Sequence, residues 1–174
     1  MKESLALFSS RVLVHASCVK LAAATVPFGG YCEDAVLLLG ESAAGKSDVA
    51  LRLIAAGAKL IADDQTALLN EEGRVFAEAP ARLRGLMEIR GVGIVNVDCA
   101  ARAAVILAVR LVDKTLIERL PEPSAYTLPA ALQPAVNPPL LTLNAFEAST
   151  PAKIAAASGV IARGGSLAGA LAAW

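Results

Sequence analysis

A run of eight residues, from Gly40 to Ser47, has the spacing Gly-x-x-x-x-Gly-Lys-Ser. In this pattern the glycines let successive backbone N–H groups turn toward a phosphate, the lysine reaches the outer phosphates, and the hydroxyl holds Mg²⁺. The pattern therefore predicts a site for a nucleoside triphosphate. The residues of the predicted phosphate site are Gly40, Glu41, Ser42, Ala43, Ala44, Gly45, Lys46 and Ser47.

The sequence on either side of this loop supports the prediction. The apolar run at residues 36–39 is typical of a buried strand, and residues 49, 50, 53 and 54 are apolar at helical spacing before Gly57. We expect a helix over residues 48–56, whose N-terminal dipole would favour a phosphate. The alternative is a chance glycine-rich turn in which Lys46 is merely solvated.

Two adjacent carboxylates, Asp63 and Asp64, follow a short apolar run at residues 59–62. A strand there would return the pair to the mouth of the phosphate site. One carboxylate would then organise the water shell of Mg²⁺, and the other would accept a proton from an attacking hydroxyl. A solvated turn at a strand end is the alternative.

Two further sets of polar residues lie inside apolar runs. His15 is the only histidine of the chain and lies within an apolar run at residues 11–19. Such a run predicts a buried histidine with a structural role, and a chemical role is the alternative. Glu88 and Arg90 alternate with apolar residues in the run at 86–97, so we expect both to point from one face of a strand. A solvent-facing salt bridge between them is the alternative.

The composition fits one soluble domain spanning residues 1–174, with 56% hydrophobic residues and a formal net charge of zero. The zero net charge and the 4% aromatic content argue against nucleic-acid binding. No apolar run reaches the length of a membrane span. Cys18, Cys32 and Cys99 are too widely spaced for a zinc site or a disulfide framework, which favours a reducing cytoplasm.

The remaining runs predict a mixed α/β fold. Six prolines between residues 121 and 139 predict an irregular excursion, and Thr150-Pro151 is typical of a helix start. Interior glycines in the run at 86–97 predict bends. We expect strands at residues 11–19, 22–26, 36–39, 59–62, 66–69, 74–77, 103–112 and 140–143, and C-terminal helices at 152–162 and 166–173, within residues 148–174.

Four segments resemble segments of the HPr kinase/phosphorylases of bacterial phosphotransferase systems. They are residues 15–17 (HAS), 40–47 (GESAAGKS), 60–64 (LIADD) and 88–95 (EIRGVGIV). The last is the most specific, since ordinary P-loop kinases do not combine it with the acidic strand. Residues 113–120 resemble a later segment that contains a functional arginine, here Arg119. The resemblance is strongest over residues 11–120.

The resemblance implies a P-loop kinase domain related to phosphoenolpyruvate carboxykinase, with a mixed β-sheet and flanking helices. The implied reaction is ATP-dependent phosphorylation of a serine on the carrier protein HPr. The implied catalytic residues are Lys46 on the transferred phosphate, Asp64 as the base, His15 positioning Asp64 or a phosphate, and Arg119 stabilising charge. The implied Mg²⁺ residues are Ser47 and Glu88, with Asp63 supporting the metal shell.

The chain also departs from the family pattern. About ten residues precede the histidine strand, so it resembles the short alphaproteobacterial form that comprises only the catalytic domain. An extended hairpin is expected at residues 25–34. The P-V-x-x-G-R segment associated with dephosphorylation is not found near residues 121–139, which makes phosphorylase activity doubtful. The family resemblance also implies a hexamer. A small-metabolite kinase and a non-catalytic ATP-sensing module are the alternatives.

Overall fold

The structure is a computed structural model that describes residues 10–22, 34–165 and 167. Nine strands and two α-helices make up the regular structure of these residues. Apolar and β-branched runs form the strands, as their composition favours. The strands are β1 Arg11–Lys20, β2 Ala35–Leu39, β3 Lys59–Ala62, β4 Gln65–Glu71, β5 Arg74–Glu78, β6 Leu86–Ile89, β7 Gly93–Asn96, β8 Arg102–Leu111 and β9 Leu140–Leu143, and the helices are α1 Lys46–Ala55 and α2 Thr150–Ala162.

Seven of the strands form one mixed sheet, in which the five strands β2, β1, β4, β5 and β8 pair in a closed ring. The ring closes because β2 pairs with both β1 and β8, and β8 also pairs with β5. Strands β2, β8 and β9 are parallel to one another, whereas β1 is antiparallel to its neighbours. The remaining strands, β6 and β7, form a separate hairpin.

The long strand β1 brings the polar residues of the chain together. Its first half, through His15, pairs with β4, and its second half, from Ala16, pairs with β2. His15 lies opposite Gln65, the residue after Asp64, and Ala16 lies opposite Leu39, the residue before the glycine-rich loop. The midpoint of β1 therefore lies beside both the loop and the acidic pair.

Buried apolar side chains form two clusters on opposite faces of β2. Val36 and Leu38 pack in a cluster with α1 and α2, while Leu37 packs in a second cluster with β4 and β5. This alternation follows from the two-residue period of a strand. Helix α1 follows the glycine-rich loop in the chain, and its packing in the first cluster fixes the position of the helix N-terminus.

The fold class predicted from the sequence, mixed α/β with flanking helices, is confirmed. Predicted strands and helices within the described residues match within one or two residues. The exception is the run at 86–97, which forms the β6–β7 hairpin, with Gly91 in its turn and Gly93 at the start of β7. The proline-rich residues 121–139 are irregular, apart from a 3₁₀ turn at Ala130–Leu132 and a bridge between Ala125 and Pro139. Within residues 22–26, Ala22 is not in a strand.

Several predictions fall on residues outside the described part of the chain. They are most of the strand at 22–26, the hairpin at 25–34 apart from Asp34, the helix at 166–173 apart from Leu167, and Cys32. Among the described cysteines, Cys18 is fully buried and Cys99 is partly buried, and both are free thiols. Burial raises the pKa of the Cys18 thiol, which suits a packing role. No helix of the described residues is long and apolar enough to cross a lipid bilayer.

Candidate active site

The glycine-rich loop connects the end of β2 to the start of α1 in a tight turn. Gly40 has a φ of 152° and Gly45 a φ of 91°, values at which a side chain is strained. A Cβ atom on Gly45 would also lie 2.5 Å from Cβ of Ala145. Helix α1 begins at Lys46, directly after Gly45, so the backbone N–H groups of its first turn lie at the loop.

Lys46 is buried at the centre of the site, with 6% of its surface exposed. Its Nζ atom donates to the carbonyl oxygens of Gly40 and Glu41, each at 2.9 Å, and lies 2.9 Å from Nε2 of His15. Burial lowers the pKa of Lys46 below its ordinary value, while Asp64 and Asp63 act in the opposite direction. The amine of Lys46 is thus fixed between the loop carbonyls and the imidazole of His15.

Asp63 is a buried carboxylate that accepts three hydrogen bonds. Its Oδ1 atom accepts from Ser17 Oγ at 2.7 Å and from Ser47 Oγ at 2.8 Å, and its Oδ2 atom accepts from the backbone N–H of Glu88 at 3.2 Å. These bonds connect β1, the first turn of α1 and the hairpin strand β6. Asp63 therefore fixes the position of the Ser47 hydroxyl.

Asp64 differs from its neighbour because its side chain is 69% exposed. Its φ is 61°, in the left-handed region that aspartate tolerates better than most residues, and its carbonyl oxygen accepts from the N–H of Ala16. Nδ1 of His15 lies 3.1 Å from both the carbonyl oxygen and the Oδ1 atom of Asp64. This exposed carboxylate is available to a molecule arriving from solvent.

The predicted burial of His15 is wrong. The side chain of His15 is 50% exposed because it lies on the open face of β1, where the strand passes from β4 to β2. The apolar run does not indicate this exposure, because Leu13, an apolar residue on the same face, is itself exposed. Arg11, also on that face, is exposed as well. Its contacts with Lys46 and Asp64 place it in the site.

A cavity of about 490 Å³ is lined by residues of the glycine-rich loop, the acidic pair and the β6–β7 hairpin. A second cavity, of about 530 Å³, lies against it and shares Asp63, Asp64 and Glu88. Glu88 lies in β6, but Arg90 lies in the turn after it, so the prediction that both point from one face of a strand is wrong. Both residues are exposed and line the first cavity. The first cavity is lined by Ser42, Ala43, Gly45, Lys46, Ser47, Asp48, Leu51, Asp63, Asp64, Glu88, Ile89, Arg90 and Phe146.

The residues predicted to hold Mg²⁺ meet in this cavity. Ser47 and Asp63 share a hydrogen bond, and the exposed Glu88 lines the same space. Because Asp63 already accepts three hydrogen bonds, it fits the outer shell of a metal better than direct ligation. The described residues hold no group of three or more His, Cys, Asp or Glu side chains suited to a metal. The donors Ser47, Asp63 and Glu88 fit Mg²⁺, which takes one or two carboxylates and completes its shell with phosphates and water.

The structure does not bring Arg119 to the other predicted residues. Arg119 is exposed, follows the 3₁₀ turn at Lys114–Leu116, and lines neither of the two cavities. Sequence reasoning in turn missed Ser17 and Phe146. Ser17 lies two residues after His15 and therefore on the same face of β1, which could have indicated that it belongs to the site. No local pattern marks Phe146.

Comparison with known proteins gives matches to HPr kinases. The sequence profile described as the HPr Serine kinase C-terminal domain matches residues 9–112. The HPr kinase/phosphorylase of Latilactobacillus sakei is 49% identical over 63 residues, which is 36% of this chain and 20% of that protein. The one from Brevibacillus brevis is 36% identical over 89 residues, or 51% of this chain and 29% of that protein. The matches thus span between a fifth and a third of those relatives.

A solved structure shares the fold over most of the chain. The Hpr(Ser) kinase/phosphatase from Coxiella burnetii aligns with a TM-score of 0.65 and 23% sequence identity, covering 83% of this chain and 86% of that one. The mixed α/β architecture described above is therefore that of this solved kinase/phosphatase structure.

Proposed function

Because the chain belongs to the HPr Serine kinase C-terminal domain family, we propose that it is an ATP-dependent kinase for a serine of an HPr-type phosphocarrier protein. One observation carries the proposal most directly. Nδ1 of His15 contacts Asp64 while its Nε2 contacts Lys46, so a phosphate-binding cation and an exposed carboxylate are held around one imidazole. Phosphoryl transfer needs both groups in a fixed arrangement.

The glycine-rich loop would bind the phosphates of ATP. Its backbone N–H groups and the first turn of α1 provide donors for phosphate oxygens, and Lys46 would contact the transferred group. Positioning and charge neutralisation account for most of the rate enhancement in such reactions. Each of these groups belongs to a segment fixed by packing or by hydrogen bonds, as this role requires.

Asp64 would act as the base on the acceptor serine. The serine oxygen forms a bond to the terminal phosphorus of ATP, the bond from that phosphorus to the bridging oxygen breaks, ADP leaves, and the hydroxyl proton passes to the Asp64 carboxylate. The position of Asp64 at the junction of the two cavities supports this role. The cavity of about 530 Å³ would admit the acceptor segment from the side opposite the loop.

Ser47 and Glu88 would hold Mg²⁺, and Asp63 would orient its shell through the Ser47 hydroxyl. The ion would supply positive charge next to the phosphate oxygens. Arg119 stays a candidate for stabilising transferred charge, although it lines neither cavity. We further propose a cytoplasmic protein that assembles as a hexamer and acts as one domain over residues 1–174, with phosphorylase activity doubtful.

The test is a transfer assay with an HPr protein from the same organism. The chain, radiolabelled ATP and Mg²⁺ should place one phosphate on a serine of HPr, and replacement of that serine by alanine in HPr should abolish labelling. A panel of small hydroxylated metabolites serves as the comparison. Labelling of a metabolite but not of HPr, or ATP binding without turnover, would reject the proposal in favour of a metabolite kinase or an ATP sensor.

A further inference from the structure

Phe146 is a large apolar side chain that stands 72% exposed beside the glycine-rich loop. We propose that its ring is the platform on which the nucleobase of the bound nucleotide stacks. This inference rests on the proposed function only in assuming a nucleotide ligand, and it concerns a residue outside the phosphate pattern. It assigns the base-binding end of the cavity.

The ring lies next to the end of the loop. A Cβ atom on Gly45 would be 3.4 Å from Cζ and 3.5 Å from Cε1 of Phe146, so the ring edge packs directly over the backbone of Gly45. Phe146 and Lys46 line the same cavity of about 490 Å³. A molecule whose phosphates contact Lys46 therefore has the Phe146 ring within the same cavity.

The backbone around Phe146 is held in place by three hydrogen bonds. The N–H of Phe146 donates to Oδ1 of the buried Asn144 at 2.9 Å. The guanidinium of Arg52, on α1, donates to the carbonyl oxygens of Ala145 and Glu147, which flank Phe146. An exposed ring on an anchored backbone loses little conformational freedom when a ligand stacks on it.

The cavity offers both charged and apolar surface. Lys46, Ser47 and the acidic pair provide the charged groups, whereas Leu51, Ile89 and Phe146 provide apolar surface. A nucleotide also has both kinds of surface, with charged phosphates at one end and a flat base at the other. Aromatic side chains stack on bases because both present π faces, and this requires no specific hydrogen bonds.

Two carboxylates, that of Asp48 in the cavity lining and that of Glu147 next to Phe146 in the chain, are already paired. Asp48 forms an ion pair with Arg52 at 2.8 Å, and Glu147 forms one with Lys153. A cationic ligand would therefore find no unpaired carboxylate on these two residues. The flat face of a neutral base fits the surface better.

The test compares the affinities of ADP and inorganic pyrophosphate, measured by calorimetry with the full chain. Phe146→Ala should weaken ADP about tenfold, since stacking on an aromatic side chain is worth roughly that factor per base. Pyrophosphate has no base, so its affinity should stay within about twofold, as expected for a contact that involves the base alone. Phe146→Trp should retain ADP affinity. Val136→Ala, at another exposed apolar residue, should change neither affinity.

Unchanged ADP affinity in Phe146→Ala would overturn the inference. Equal weakening of ADP and pyrophosphate would also overturn it, because it would mean that the ring shapes the phosphate loop. Wild-type protein that binds pyrophosphate but not ADP would also overturn it. Selective weakening of ADP combined with no transfer to HPr would reject the proposed kinase function and leave the nucleobase platform supported.

Discussion

The Nε2 atom of His15 lies 2.9 Å from the Nζ atom of Lys46. A charged lysine has donors and no acceptor, so Nε2 must accept this hydrogen bond, and the imidazole proton must be on Nδ1. Nδ1 in turn faces the carbonyl and the carboxylate of Asp64. The histidine thereby couples the orientation of the proposed base to the position of the phosphate-binding lysine.

This arrangement predicts the tautomer of His15. We expect the neutral imidazole to carry its proton on Nδ1, a state that the two ring nitrogens report directly in ¹⁵N NMR. Because His15 is the only histidine in the chain, its signals need no assignment. Lys46→Met removes the donor to Nε2 and should return the ring toward a mixture of tautomers. A spectrum dominated by a proton on Nε2 in the wild type would contradict the proposed coupling.

Lys46 should give anion binding an unusual dependence on pH. Its pKa in the folded protein lies below the ordinary 10.5 because the amine is buried. The cation is therefore lost at a lower pH than in the unfolded chain, and pyrophosphate affinity should begin to fall below pH 10.5. Lys46→Arg keeps its charge, so whatever affinity it has should stay flat over this range.

The same shift fixes the sign of the effect on stability. Between the folded pKa and 10.5 the unfolded chain binds more protons at Lys46 than the folded chain does. The free energy of unfolding should therefore increase as the pH rises through that window, because the burial penalty of the charged amine is relieved.

Calorimetric titration with pyrophosphate at several pH values measures the predicted fall in affinity. A wild-type affinity that stays constant to above pH 10.5, or an equal decline in Lys46→Arg, would count against the assigned role.

Ser17 should act as a positioning residue for Asp63. The hydroxyl is fully buried and donates to Asp63 Oδ1 at 2.7 Å. Ser17→Ala should reduce kcat about tenfold and lower the free energy of unfolding by about 1–3 kcal/mol, since a hydrogen bond to a charged group is lost. Both are measured on the same preparation, by HPr transfer kinetics and urea unfolding.

Thr66→Val provides the matched control for Ser17. Thr66 is equally buried, but its hydroxyl donates to the carbonyl oxygen of Ala16 at 2.8 Å and not to a carboxylate. This variant should lose stability to a similar extent and keep its kcat. If both variants lost kcat in proportion to stability, Ser17 would have a structural role only.

Gly45 should tolerate no side chain. The φ of Gly45 is 91°, a value at which any side chain is strained. An added Cβ would also lie 2.5 Å from Cβ of Ala145. Gly73 is the control, because its φ is 83° but an added Cβ meets nothing within 4 Å. Gly73→Ala should cost about 1–2 kcal/mol of stability from backbone strain alone. Gly45→Ala should cost more and weaken ADP binding at least about tenfold, as the loop would be displaced from its phosphate-binding form. Equal effects of the two substitutions would contradict this reading of the loop.

Much of the fold could be predicted from local sequence patterns. Apolar runs fixed β1, β3 and β8 to within one or two residues, and the Thr150-Pro151 pair marked the start of α2. The closed ring of strands could not be predicted, because it depends on β8 pairing with both β5 and β2. Such pairings join residues far apart in the chain and leave no local periodicity.

The candidate site shows the same division. Lys46, Ser47 and the acidic pair belong to patterns with fixed spacing, so their meeting was expected and is observed. The exposure of His15 was missed because burial was judged from its apolar neighbours, whereas the crossing of β1 between two partners decides it. Phe146 follows Lys46 by one hundred residues and enters the site only through the packing of the segment after β9.

The most direct test of the account is the single-turnover rate of phosphate transfer to HPr by the wild type and by Asp64→Asn. The wild type should form phosphoserine, and Asp64→Asn should be at least about 100-fold slower with ADP affinity unchanged, as expected when a general base is removed. Asp98→Asn, which alters an exposed aspartate paired with Lys59, should match the wild type. No phosphoserine from the wild type, or equal rates for the wild type and Asp64→Asn, would contradict the account.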